Sequence, residues 1–144
     1  MRDRQLWRCP ACGRPFANVN QRHSCVAATV EQHLAGKGEH AAELYRRFAE
    51  AVAACGPVIL APAKTRIGFQ VRMIFAAVTV RADRLDAHVV LARRLEHPRF
   101  TRIESISPRN HVHHFRIRHA EEIDAEVAAW LRESYAVGEQ KHLG

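Results

Sequence analysis

The chain has 144 residues, 47% of them hydrophobic and 26% charged, which suits one domain with a buried core plus a small appendage. No apolar run reaches about 18 residues, which excludes a membrane-spanning helix. The first residues lack the apolar stretch of a secretory signal, so the expected setting is the cytoplasm, where clustered cysteines read as metal ligands.

The net charge of +7 is unevenly spread. Residues 1–25 carry +4, residues 26–63 carry −1, residues 64–118 carry +8 and residues 119–144 carry −4. A basic block followed by an acidic tail attracts anions in general: nucleic acid, phosphorylated metabolites or acidic proteins. A solvated arginine-rich surface, partly neutralised by the acidic C-terminal helix, explains the same pattern.

Residues 1–27 hold Cys9-Pro-Ala-Cys12-Gly13 and, ten residues later, His23-Ser-Cys25. Two close pairs of soft ligands separated by a loop are the pattern of a zinc knuckle, so Cys9, Cys12, His23 and Cys25 are the expected ligands of one structural zinc ion. His33 is the alternative fourth ligand. The His-x-Cys pair is tighter than the helical spacing of a DNA-reading finger, leaving too little helix for a major groove. Trp7 and Phe16 supply the apolar plug, and a segment this short depends on the metal for its folding.

Residues 28–144 form the second unit. Gly36-Lys37-Gly38 reads as a loop, and Leu44, Phe48 and Val52 mark a helix over 39–55 that Gly56-Pro57 ends. Alternation of Thr65, Ile67, Phe69, Val71 and Met73 with Lys64, Arg66, Gly68, Gln70 and Arg72 predicts a strand with one apolar and one cationic, polar face, interrupted around 72–74. Ile74–Val80 and Leu85–Leu91 are the next strands. Thr101–Ile106 and Val112–Arg118 form a hairpin around Ser107-Pro108-Arg109-Asn110, and a helix from about Ala120 ends at Gly138. The expected architecture is α+β: a knuckle, then an antiparallel sheet of about five strands packed with two helices.

Cationic residues interleaved on a sheet suit phosphate contacts, and Lys64, Thr65, Arg66, Gln70, Arg72, Arg109 and His113 are the candidate anion- or ligand-binding residues. For Lys64, a structural contact with an acidic residue of the C-terminal helix is an equal alternative. His111 and His113, with Glu104 from the neighbouring strand, are an alternative metal-chelating set. Cys55 lies at a helix C-terminus, where the dipole raises a thiol pKa, and reads as a core residue rather than a nucleophile. No phosphate-binding loop, dinucleotide fingerprint, nucleophile elbow or H-E-x-x-H motif occurs, and no catalytic residue is assigned.

The segments HLAGK (33–37), GPV (56–58), PAKTRIGFQ (62–70), HPRF (97–100), SPR (107–109) and YAVG (135–138) resemble the uncharacterised bacterial domain-of-unknown-function family 5655. The N-terminal W-x-C-P-x-C-G-R…H-S-C piece resembles a knuckle that some members carry. The resemblance implies a small α+β domain and supplies no activity.

Three functional readings follow. The first is a non-enzymatic, zinc-containing module whose basic sheet engages an anionic partner such as nucleic acid. The second is a small enzyme or metabolite-binding protein with a pocket over the sheet lined by Lys64, Arg66 and His113. The third is a protein–protein interaction module that docks through its knuckle. No membrane partner is expected, and the sequence does not set the oligomeric state.

Overall fold

A computed structural model describes residues 6–8, 10, 15–16 and 29–141. Two short strands, β1 (Trp7–Arg8) and β2 (Pro15–Phe16), pair antiparallel, so the chain reverses between Arg8 and Pro15. A five-residue helix α1 (Val30–Leu34) follows. A capping box starts it: Thr29 Oγ1 accepts from Gln32 N at 3.1 Å, and Gln32 Oε1 accepts from Thr29 N at 2.8 Å.

The main helix α2 (Glu39–Ala53) buries Ala41, Leu44, Tyr45, Phe48 and Val52 along one face. The chain then forms β3 (Ile59–Pro62), β4 (Ile67–Gln70), β5 (Ile74–Val80), β6 (Leu85–Leu91), β7 (Arg102–Ser107) and β8 (Asn110–Ile117). A single 3-10 turn at Ala120–Glu122 leads into α3 (Ala125–Gly138), capped by Asp124, whose carboxylate accepts from Val127 N at 3.1 Å. Among the described residues no helix is long and apolar enough to cross a membrane.

The fold is α+β, with an open antiparallel sheet of six strands in the order β3-β4-β5-β6-β8-β7. Helices α2 and α3 lie on one face. Phe48 packs on Phe69 (ring centroids 5.7 Å apart) and Trp130 on Phe115 (5.4 Å), within a core that includes Ala76, Val78, Ala87, Val89 and Ile117. Burying these apolar faces against each other is what holds sheet and helices together.

The long alternating segment proves to be two elements. Strand β4 spans only 67–70, and the chain bends at 71–73 before β5 begins. The bend is fixed from outside: Arg72 N and Met73 N both donate to Gly138 O, at 2.9 and 3.1 Å, tying it to the end of α3. Phe69 pairs with Ala76 and Gln70 with Ile74, which leaves Phe75 as the extra residue of a bulge. Phe75 thereby joins the helix-side core, edge-on to Tyr135 with ring centroids 5.4 Å apart. Nor is the polar side of β4 exposed, since both Gly68 and Gln70 are buried.

Candidate site on the open sheet face

Strand alternation sends Ile67, Phe69, Val78, Ala87, Val89, Phe115 and Ile117 toward the helices, so their neighbours face the other way. Pairing on this open face aligns one residue from each strand in a single row: Ala61, Gly68, Ala77, His88, His114 and Arg102. The β3–β4 half of the row has no side chain beyond a methyl group. The other half carries two imidazoles and a guanidinium.

His114 and Glu104 form a close pair, with Nε2 to Oε1 at 2.6 Å, and Arg102 Nη2 reaches the same carboxylate oxygen at 3.1 Å. The His114 hydrogen bond, joined by the charge of Arg102, holds the Glu104 carboxyl below its ordinary range. His88 meets His114 edge-to-face, with ring centroids 5.3 Å apart. Among the described residues the His88 ring makes no hydrogen bond. Burial pushes its pKa down to about 4, and the charges of Arg66 and His114 act in the same direction, against a smaller opposing effect of Glu104. The imidazole is therefore neutral near pH 7, with one donor and one acceptor nitrogen that have no partner among the described residues.

Beside this row lies the turn between β3 and β4, closed by Ala63 N donating to Arg66 O at 2.8 Å. Lys64, Thr65 and Arg66 are all exposed on it. No carboxylate among the described residues pairs with Lys64 or Arg66, and Lys64 makes no contact with an acidic residue of α3. Most of the basic block is neutralised elsewhere. Arg93 forms a two-pronged pair with Glu133 at 3.0 Å, Arg94 pairs with Glu96 at 2.9 Å, and Arg81 and Arg84 hold Asp86 at 3.0 and 2.8 Å. Arg116 lies 3.8 Å from Asp86, and Arg99 pairs with Asp124 at 3.2 Å.

The remaining expected ligand residues do not join the turn. Gln70 is fully buried; its Nε2 donates to the Pro15 carbonyl at 2.5 Å, bringing the β1–β2 hairpin against the open face, while its Oε1 has no partner. Arg72 serves the end of α3, its Nε donating to Gln140 Oε1 at 2.9 Å. Arg109 sits at the β7–β8 turn, on the opposite edge of the sheet.

His113 lies on the helix side, buried, with both nitrogens engaged. Its Nδ1 donates to His111 O and its Nε2 accepts from Leu95 N, both at 2.9 Å. A pocket combining Lys64, Arg66 and His113 is therefore not assembled, because the sheet separates His113 from Arg66. The chelating set fails for the same reason: Glu104 lies with His114, across the sheet from His111 and His113. Among the described residues no three His, Cys, Asp or Glu side chains converge on a point that could hold a metal ion.

Cys9, Cys12, His23 and Cys25 lie outside the described residues. The alternative ligand His33 uses Nε2 to donate to the Ala63 carbonyl at 2.6 Å. Cys55 is half-buried and packs against the core, and burial raises its pKa, with Arg132 partly opposing. The sequence reading missed His88 as a site residue, although the alternation in Leu85–Leu91 already placed it on the polar side with Asp86.

A family model described as a domain of unknown function (DUF5655) matches residues 30–138. No curated protein and no solved structure matches the chain.

Proposed function

The chain belongs to the domain-of-unknown-function family DUF5655, and we propose that it is a non-enzymatic binding domain that takes a phosphate-bearing partner, with nucleic acid the representative case, at Lys64, Thr65 and Arg66. One observation carries this reading: Lys64 and Arg66 share an exposed turn where no carboxylate among the described residues pairs with either, while most of the other arginines of residues 64–118 are paired. Two uncompensated cations flanking a hydroxyl suit a phosphate oxygen.

The N-terminal knuckle enters this reading as a structural clip. In the sequence Cys9 and Cys12 stand between the antiparallel strands β1 and β2, which supports this reading, and Gln70 fastens the hairpin to the sheet. A cytoplasmic setting, which keeps the ligands reduced, fits the same reading.

The test is binding of a fluorescent DNA duplex across a salt series. Two phosphate contacts give a slope of log K against log salt of about −1.8. Lys64→Ala/Arg66→Ala is expected to abolish most of that slope, and Arg93→Ala, at a paired arginine, to leave it unchanged. Salt-independent binding, or equal losses in both variants, would overturn the reading.

A further inference from the structure

We propose that the β3 edge of the sheet is the docking surface for a second copy of this chain. The two β3 strands pair antiparallel about a two-fold axis at Leu60 and join the two six-stranded sheets into one. This interface stands apart from the anion-binding reading and does not depend on it.

The two edges of the sheet meet water differently. At one edge β7 carries the charged Arg102 and Glu104 and is broken by a bulge at Ile106, features that keep a bare strand from pairing with another chain. At the other edge β3 has only Pro62 at its end. It pairs with β4 without a register shift, and residues 51–63 include no charged side chain. Ile59 and Leu60 stand there 36% and 47% exposed, two of the three large apolar side chains left exposed among the described residues. No strand among the described residues covers the outer side of β3.

The turn after β3 fixes which of its backbone groups point outward. Ala63 N donates to Arg66 O at 2.8 Å, and antiparallel ladder bonds recur at every second residue, so Ala63, Ala61 and Ile59 bond toward β4. Val58, Leu60 and Pro62 therefore direct their backbone groups away from the sheet, where the missing N–H of Pro62 costs the ladder nothing.

A two-fold axis at Leu60 matches this set to itself. Each Leu60 N–H donates to the Leu60 carbonyl of the other copy, and each Val58 N–H to the other copy's Pro62 carbonyl. Leu60 shares the helix-side face with Phe69 and meets its own counterpart there, while on the opposite face Ile59 meets the small Ala61. Like charges stay apart, because the same register sets each Lys64 against Gly56 of the other copy. Self-complementarity in hydrogen bonds, side-chain size and charge is what commits the edge to a second copy. One short strand falls below the standard interface of about 1,600 Å², so the dimer is reversible, with a dissociation constant on the order of 10 µM.

Sedimentation equilibrium of the full chain from about 1 µM to about 500 µM spans that value. Reducing conditions remove Cys55 as a cross-link. The mean mass is expected to rise from one copy toward two and no further. Leu60→Lys sets two ammonium groups across the axis and should weaken association by roughly tenfold or more. Ile106→Lys, at the opposite edge, should leave association unchanged.

Hydrogen exchange in the wild-type chain gives an answer that needs no variant to fold. Protection of the Leu60 amide should grow with protein concentration, whereas that of Ala61, already bonded to β4, should not. An edge kept for a strand of a different protein would give single copies throughout, and that result would overturn the proposal. So would association that survives Leu60→Lys, weakens equally in Ile106→Lys or continues beyond two copies, or a Leu60 amide whose exchange ignores concentration.

Discussion

Gly138, the last residue of α3, lies directly against the ring of Phe75: a Cβ placed there would come within 2.6 Å of Phe75 Cδ1 and 3.1 Å of its Cβ. Phe75 cannot retreat, because it is the extra residue of the β5 bulge and is fully buried. Gly138→Ala is therefore expected to overpack this contact and cost about 2 kcal/mol in urea unfolding. The carbonyl of Gly138 also fixes the bend before β5, so hydrogen exchange at Arg72 and Met73 should rise in the same variant.

His113 holds the start of the β6–β7 loop by accepting from Leu95 N, and it stacks edge-on with Phe100, ring centroids 4.8 Å apart. His113→Leu keeps much of the volume and leaves the Leu95 amide without an acceptor, at an expected cost of about 1–3 kcal/mol. His113→Gln, whose carbonyl can accept, should lose less. Equal losses in the two variants would show that the ring contact, rather than the hydrogen bond, is what counts.

Arg99 ties the same loop to the N-terminus of α3. Its Nη2 donates to Glu122 O at 2.7 Å, its Nη1 pairs with Asp124, and its guanidinium lies 5.4 Å from the centre of the Trp130 ring. The pairs are partly exposed and screened, so Arg99→Ala is expected to cost only about 1 kcal/mol. Arg99→Lys should recover little of it, since an ammonium cannot reproduce the planar fork over the ring. The fluorescence of Trp130 provides a local readout.

The legible and illegible parts of this molecule divide along a physical line. The apolar runs on either side of the polar turn 81–84 located Ile74–Val80 and Leu85–Leu91 at the bounds the structure shows. Strand β3 (ILAP) has no alternation and sits at the sheet edge, and α1 is too short for a periodic stripe; the signal missed there was the capping-box pattern Thr29-x-x-Gln32. The interruption that the sequence predicts around 72–74 falls at 71–73, and it is set by Gly138, 66 residues past Arg72. The pairing of His88 with His114 depends on β8, rather than β7, lying beside β6, and local pattern does not encode that order. Lys64, Thr65 and Arg66 share one exposed turn, whereas His113, grouped with them from the sequence, lies across the thickness of the sheet.

Zinc content gives the next expected outcome. If Cys9, Cys12, His23 and Cys25 hold one structural ion, freshly purified chain should contain about one zinc per molecule, and Cys9→Ser should lower that number. Among the described residues the buried core runs from Ala41 to Val137, so chelation should leave the far-ultraviolet circular dichroism of the sheet domain largely intact. It should, however, free the Pro15 carbonyl from Gln70 and expose β4 to exchange. Absence of zinc in the purified chain would remove the metal from the account.

Stability should depend on pH through two imidazoles that the fold keeps neutral. Burial is the main cause for both His88, held at about 4, and His113, which is also shifted down from 6.5. In the unfolded chain each titrates near 6.5, so below that pH the unfolded state binds more protons than the folded one. Their contribution is thus fully present above pH 6.5 and is lost as pH falls toward the folded value, about 4 for His88. For His88 alone the loss approaches roughly 3 kcal/mol at its lower limit, less whatever water penetration screens. Urea unfolding at pH 7.5, 6 and 4.5 should show this decline, and His88→Gln should flatten the part between pH 6 and pH 4.5. An unchanged slope in that variant would mean that His88 does not carry the decline.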